Sequence, residues 1–212
     1  MNQIILEYLL RIPAVLIALT FHECAHGWVS YKLGDPTAKN LGRLTLNPIK
    51  HIDPLGLILM IVVGFGYAKP VPVNSRYYKK PKRDMALVAA AGPLANIIIA
   101  FIAMFIYKCL NLIRSDSYAL VAALMFFAIL AALNVYLAVF NLIPIPPLDG
   151  SRLAYIFLPT KWYFGIMKYE RYILIGFYVL LFLGMFTGVL SAISNWVLGG
   201  MDSLISLIPI FK

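Results

Sequence analysis

The chain has 212 residues, of which 62% are apolar and 13% charged, with a formal net charge of +9. A mean hydropathy of +0.85 excludes an ordinary soluble domain and a disordered chain alike. No polar block is large enough for a separate soluble module, so residues 1–212 read as one integral-membrane domain. The two cysteines, Cys24 and Cys109, fall within or at the edge of apolar runs. This excludes a disulfide framework and leaves two inert, buried thiols.

The first apolar run, about Ile4–Tyr31, is long enough to cross roughly 30 Å of hydrocarbon. It is not a cleavable signal, because it lacks a basic n-region and a small-x-small cleavage site. Glu7 and Arg11 stand four apart and can pair on one helix face. Late in the run comes His22-Glu23-x-x-His26. Positions i and i+4 share a helix face, so both imidazoles can address one ion with Glu23 beside it. A lone charge at membrane depth costs roughly 2.5–3.5 kcal/mol on insertion scales, so such a cluster marks a function rather than a passive polar patch.

Lys32–Asp84 carries ten of the eighteen Lys and Arg residues. Within it, Leu55–Ala68 is only about 14 residues, or roughly 21 Å if helical, which is short for a span. It also holds Gly56, Gly64 and Gly66 between Pro54 and Pro70. We expect it to dip into the membrane and return. In Lys69-Pro-Val71-Pro-Val73, the prolines blank one edge of an extended strand and leave Lys69, Val71 and Val73 able to pair on the other. Such an edge could hold a protease substrate by strand addition; a proline-stiffened loop is the equal alternative. His51 has three readings: a group behind the metal ligands, a temporary ligand holding the site inactive, or an ordinary interfacial histidine.

Two further spans are expected at about Met85–Tyr107 and Tyr118–Ile143. Asn96 and Asn134 suit interhelical bridging, with Ala91, Gly92 and Ala95 permitting close packing. Asn141-Leu-Ile-Pro-Ile-Pro-Pro-Leu-Asp149-Gly150 then follows directly. Three prolines forbid helix, so an extended run is expected, which at membrane depth must line a cavity or be buried in protein. Two imidazoles, one carboxylate and an open fourth position compose a catalytic zinc site. Zinc lowers the pKa of its water towards about 7, and Glu23 can act as general base. Alone, Asp149 would read as a turn or cap for a helix over Ser151–Leu158. A fourth span is expected at Tyr172–Leu190, and Ala192–Phe211 is either a poor span or an interfacial helix.

Charge and connectivity fix a topology. Pro144–Arg171 holds four more basic residues and would share a side with Lys32–Asp84. The positive-inside rule then puts both in the cytoplasm and the N-terminus outside, with the site nearer the cytoplasmic face. The basic residues lie in short loops, so a lipid bilayer is the expected partner and nucleic acid is not. For the histidines and Asp149 to meet, two crossings must separate them, which agrees with a re-entrant Leu55–Ala68.

His22-Glu23-x-x-His26 in a first span and N-x-x-P-x-x-P-L-D-G after a later one resemble the site-2 protease family of intramembrane zinc metalloproteases. Gly34-Asp-Pro-Thr-Ala38, Leu46-Asn-Pro48, His51-Ile-Asp-Pro-Leu-Gly56, Gly66-Tyr-Ala-Lys-Pro-Val-Pro-Val-Asn74 and Ala91-Gly-Pro-Leu-Ala-Asn96 are similar to its compact bacterial and archaeal branch. The resemblance covers roughly residues 1–160 and includes no PDZ or CBS module. It implies one Zn2+ held by His22, His26 and Asp149, Glu23 as catalytic base, and Asn141 as a contact to substrate or developing oxyanion. It implies a prokaryotic cell membrane and a transmembrane protein substrate cut in or near its span. A metal transporter and an inactive scaffold are the competing classes; they differ from a protease in tolerating Glu23→Gln. The expected fold is an all-α polytopic bundle with a catalytic core over about residues 4–158. It has three core spans, a small re-entrant, partly extended (β-like) insert, and C-terminal span or spans over 172–211.

Overall fold

A computed structural model describes residues 3–56, 58, 69–113, 115 and 117–211. In chain order its helices are α1 (Gln3–Lys32), α2 (Thr37–Asn40), α3 (Pro81–Asn111), α4 (Tyr118–Asn141), α5 (Asp149–Ala154), α6 (Thr160–Met167), α7 (Glu170–Phe182) and α8 (Thr187–Ser206). Among the described residues there is no strand. The chain is thus an all-α polytopic membrane protein. Most of the expected re-entrant turn, residues 57 and 59–68, lies outside the described residues.

Helices α1, α3 and α4 are 30, 31 and 24 residues long, or about 36–46 Å at 1.5 Å per residue. Each is long and apolar enough to cross a membrane. Lipid offers no partner for a free amide, so these runs close their hydrogen bonds internally as helices. Glu7 and Arg11 pair at 2.8 Å, which softens their cost in α1. Small residues set the contacts between the three helices. Ala14, Ala103 and Ala131 are buried with Leu130 in one core cluster, where small side chains let backbones approach. Ile98, Ile102 and Trp196 remain exposed, as an apolar solvent permits.

His22 meets Asn96 and His26 meets Val88, so α1 and α3 run antiparallel. Helix α4 returns beside them, and Asp149 arrives at both histidines. Among the described residues, two membrane-length helices, α3 and α4, therefore lie along the chain between the histidines and Asp149.

Two expectations on the C-terminal half are corrected. Residues 142–148 form successive turns, with Ile145 N–H donating to the Ile143 carbonyl and Leu148 N–H to that of Ile145. The prolines remove three donors, and the remaining amides close short local bonds instead of leaving an extended run. The fourth span is not one helix over Tyr172–Leu190: α7 and α8 meet at 82° across a short break. Gly184 takes φ +75 there, a conformation that favours glycine, and its carbonyl accepts from the Thr187 hydroxyl at 2.7 Å. Helix α8 buries Leu190, Ser194, Met201 and Ile205, and Lys108 holds Asp202 at 2.8 Å.

Asp35 fastens the insert to the end of α1. It is fully buried. One carboxylate oxygen accepts from the Thr37 amide and hydroxyl, and the other from the Ser30 hydroxyl and the Asn74 amide. Ser30 has given its proton to Asp35, so Tyr78 donates to Ser30 at 2.7 Å. Burial pushes the Asp35 carboxyl up, but these donors outweigh it and hold it below its ordinary value. A lowered folded pKa stabilises above the unfolded value of about 3.9 and fades as pH falls below it. Asp35→Asn must turn an amide N–H towards a donor, so it should destabilise by about 1–3 kcal/mol at neutral pH. Thermal unfolding in detergent checks this, and the gap from wild type should narrow below about pH 4.

Candidate metal centre and active-site cavity

The i, i+4 spacing places the His22 and His26 rings edge to face with centroids 4.6 Å apart. His22 Nδ1 lies 2.5 Å from Asn96 Oδ1, and His26 Nδ1 lies 2.7 Å from the Val88 carbonyl oxygen. Neither oxygen can donate, so each Nδ1 carries the proton and each Nε2 presents a lone pair. The two Nε2 atoms are 3.0 Å apart, and Asp149 Oδ2 is 3.2 Å from each. Asp149 Oδ2 is buried without a hydrogen bond. Three acceptors facing one another with no proton among them make a cation's ligand set. Ligand atoms about 2.0–2.1 Å from a tetrahedral zinc lie roughly 3.3 Å apart, so the triangle fits.

Asp149 is the first residue of α5, whose N-cap is Leu148 and makes no side-chain cap bond. Its carboxylate is turned to the histidines instead of capping the helix. The helix itself starts at Asp149 and ends at Ala154, earlier and shorter than Ser151–Leu158. Gly150 is required by the turn: a Cβ there would strike the Leu142 and Ile143 carbonyl oxygens.

Glu23, Val71, Val73, Asn141, Arg152 and Glu170 are among the residues lining a cavity of about 500 Å³ next to the histidines and Asp149. Val71 N–H donates to Glu23 Oε2 at 2.8 Å. Lys69 N–H donates to the His51 carbonyl at 3.0 Å, and the Lys69 carbonyl accepts from Arg43 at 2.6 Å. The Lys69 amide is thus taken by the loop and the Val71 amide by α1, so neither is open to a partner strand. His51 is 1% exposed, its Nε2 donates to the Thr45 carbonyl at 2.8 Å, and it is absent from the metal-binding group His22, His26 and Asp149. Asn141 gives its amide nitrogen to the Leu137 carbonyl at 2.9 Å while lining the cavity.

Residues 11–116 and 108–187 match the family described as Peptidase family M50. The Bacillus subtilis (strain 168) protein named "Putative zinc metalloprotease YwhC" is 43% identical over 91% of this chain and 88% of its own length. The chain belongs to peptidase family M50. Its other relatives include "Putative zinc metalloprotease Rip2" of Mycolicibacterium smegmatis, 31% identical over 68% of this chain and 55% of that protein. "Putative zinc metalloprotease MJ0611" of Methanocaldococcus jannaschii is 30% identical over 72% of each chain. No solved structure matches.

Sequence reasoning missed what surrounds His22, His26 and Asp149. Gly92 reads as a helix-packing residue, but a Cβ there would lie 2.6 Å from Cε1 of both imidazoles and closer still to His26 Nε2. It is the floor on which the histidines rest. Its signal was the Gly-Pro pair inside an otherwise unbroken apolar helix. Gly92→Ala should therefore lower metal affinity by roughly 10–100-fold, the range for disturbing groups behind metal ligands. Ala favours a helix interior by about 1 kcal/mol, so α3 should not weaken. Zinc titration beside a circular-dichroism melt checks both halves.

Proposed function

We propose that this protein is an intramembrane-cleaving zinc metalloendopeptidase that hydrolyses a peptide bond in or near the transmembrane segment of another membrane protein. The observation that carries this reading is the bare ligand triangle of His22, His26 and Asp149 inside a membrane-spanning bundle, in a chain whose M50 relatives are named zinc metalloproteases. His22, His26 and Asp149 hold one Zn2+, which supplies Lewis acidity and brings water into reach of deprotonation near neutral pH.

Glu23 takes the proton from the attacking water as general base. The Val71 amide fixes one of its oxygens, which leaves Oε1 to accept. Asn141 keeps one amide hydrogen beyond its bond to Leu137, and gives it to the substrate carbonyl as negative charge develops there. Val71 and Val73 flank the substrate along the cavity wall, whereas Lys69 and His51 serve the loop. A substrate helix must unwind to reach this cavity, because its own hydrogen bonds shield the carbonyl.

His22 lies ten residues before the end of α1 at Lys32, or about 15 Å along the axis. The basic insert follows that end, so the positive-inside rule puts the site nearer the cytoplasmic face of a prokaryotic membrane, with the N-terminus outside.

Co-expression with single-span membrane proteins, with cut sites mapped by mass spectrometry, tests the reading. Wild type should cut within or beside a span. Glu23→Gln should keep zinc and the Val71 contact while cleavage falls about 10²–10⁴-fold. Zinc lost from Glu23→Gln, or undiminished cleavage, would contradict the assignment. Asp149→Asn keeps the shape but removes the one anionic ligand, so zinc content and cleavage should fall together. Wild-type values for both would remove Asp149 from the metal site.

A further inference from the structure

Asn96 on α3 and Asn134 on α4 are both fully buried between the three core helices. The Asn96 amide nitrogen donates to the Ala18 carbonyl at 3.2 Å and to Asn134 Oδ1 at 2.7 Å. The Asn134 amide nitrogen donates to the Leu130 carbonyl of its own helix at 2.8 Å. Asn96 Oδ1 faces His22 Nδ1 at 2.5 Å.

We infer that Asn96 and Asn134 are positioning residues that fix the tautomer of His22, so that its Nε2 is presented without a proton. The polarity of the chain of bonds is forced from its far end. The Leu130 and Ala18 carbonyls can only accept, so each must face an amide NH2 and neither asparagine can flip. The Asn134 oxygen is thereby turned to Asn96, and the Asn96 oxygen to His22. An oxygen at that place requires the His22 proton on Nδ1. Without it the proton moves to Nε2, where Asp149 Oδ2 at 3.2 Å receives it, and a metal must then expel it to bind. His26 needs no such device, since the Val88 main-chain carbonyl meets its Nδ1 directly. The two ligands on one helix are thus held by different means, and only one depends on side chains two helices away.

The inference rests on His22 being a metal ligand, and it is tested first without metal. The chain has three histidines, so ¹⁵N-histidine NMR of metal-free protein in detergent can resolve their tautomers. In wild type, His22 and His26 should both carry the proton on Nδ1. Asn96→Leu, of similar size, should move the His22 proton to Nε2 and leave His26 unchanged. Asn134→Leu, which touches neither ring, should give His22 a mixture. Zinc affinity should fall roughly 10–100-fold in Asn96→Leu and less in Asn134→Leu. The double variant should be no worse than Asn96→Leu, because the far residue acts through the near one. Additive losses, an unchanged His22 tautomer in Asn96→Leu, or His22 and His26 shifting together would each overturn the inference. A wild-type protein with the expected tautomers but no zinc affinity would instead overturn the metal reading.

Discussion

Three acceptor atoms must be kept bare and close together inside an apolar helical bundle, and the rest of the structure follows from that demand. Lone pairs 3.0–3.2 Å apart repel one another until a cation joins them. The scaffold has to impose the arrangement. Helix α1 supplies two of the atoms through its own repeat, and the turns after α4 supply the third. Helix α3 is the wall against which all three are set. Ala18 is buried on α1, as are Ala91 and Ala100 on α3, so the helices come close enough for Asn96 to reach the Ala18 carbonyl. Larger residues at these places would part α1 from α3 and lengthen the bonds that orient the rings.

The basic insert belongs to the same device. Its extended stretch is hung on two carboxylates that follow one another along the chain: Glu23 receives the Val71 amide and Asp35 receives the Asn74 amide. Arg43 and the His51 main chain hold Lys69. Glu23 and the cavity wall are therefore positioned by one another. The Gly34–Ala38 stretch is tied to Glu23 through this extended backbone.

Much of this was legible in the residues. The spans could be read because apolar length is a direct physical requirement of the bilayer, and the His-Glu-x-x-His spacing maps onto one helix face whatever surrounds it. The meeting of Asp149 with the histidines was expected from the donor set, two imidazoles short of a carboxylate, and the count of crossings agreed with it. What stayed hidden depended on backbone atoms or on partners far away in sequence. The Val88 carbonyl that orients His26 leaves no trace in side-chain identity. Asn96 and Asn134 looked alike as bridging residues, because nothing local shows that one of them ends on His22. That the Lys69 and Val71 amides are taken by the His51 carbonyl and Glu23 could not be read from alternation, which does not say what an amide faces. The C-terminal break was missed because Leu183-Gly-Met-Phe186 is as apolar as a span, and hydropathy is blind to a positive φ.

The Gly92-Pro93 pair shows how the bilayer permits what the site needs. In a water-exposed helix interior, Gly costs about 0.5–1 kcal/mol relative to Ala and Pro about 3 kcal/mol or more. Such a pair would ordinarily end a helix. Here Pro93 is buried within α3 and the helix continues, because a chain unwound in lipid would expose several unpaired backbone groups at several kcal/mol each. The membrane thus stabilises α3 enough to carry a residue with no Cβ beside a residue with no N–H. The missing Cβ gives both imidazoles their seat. The missing N–H withholds the usual helical donor from the Ala89 carbonyl, on a stretch where Val88 and Ala89 line the cavity and Val88 holds His26. The same solvent that makes a buried charge costly therefore also lets the helix tolerate the two residues that make room for one.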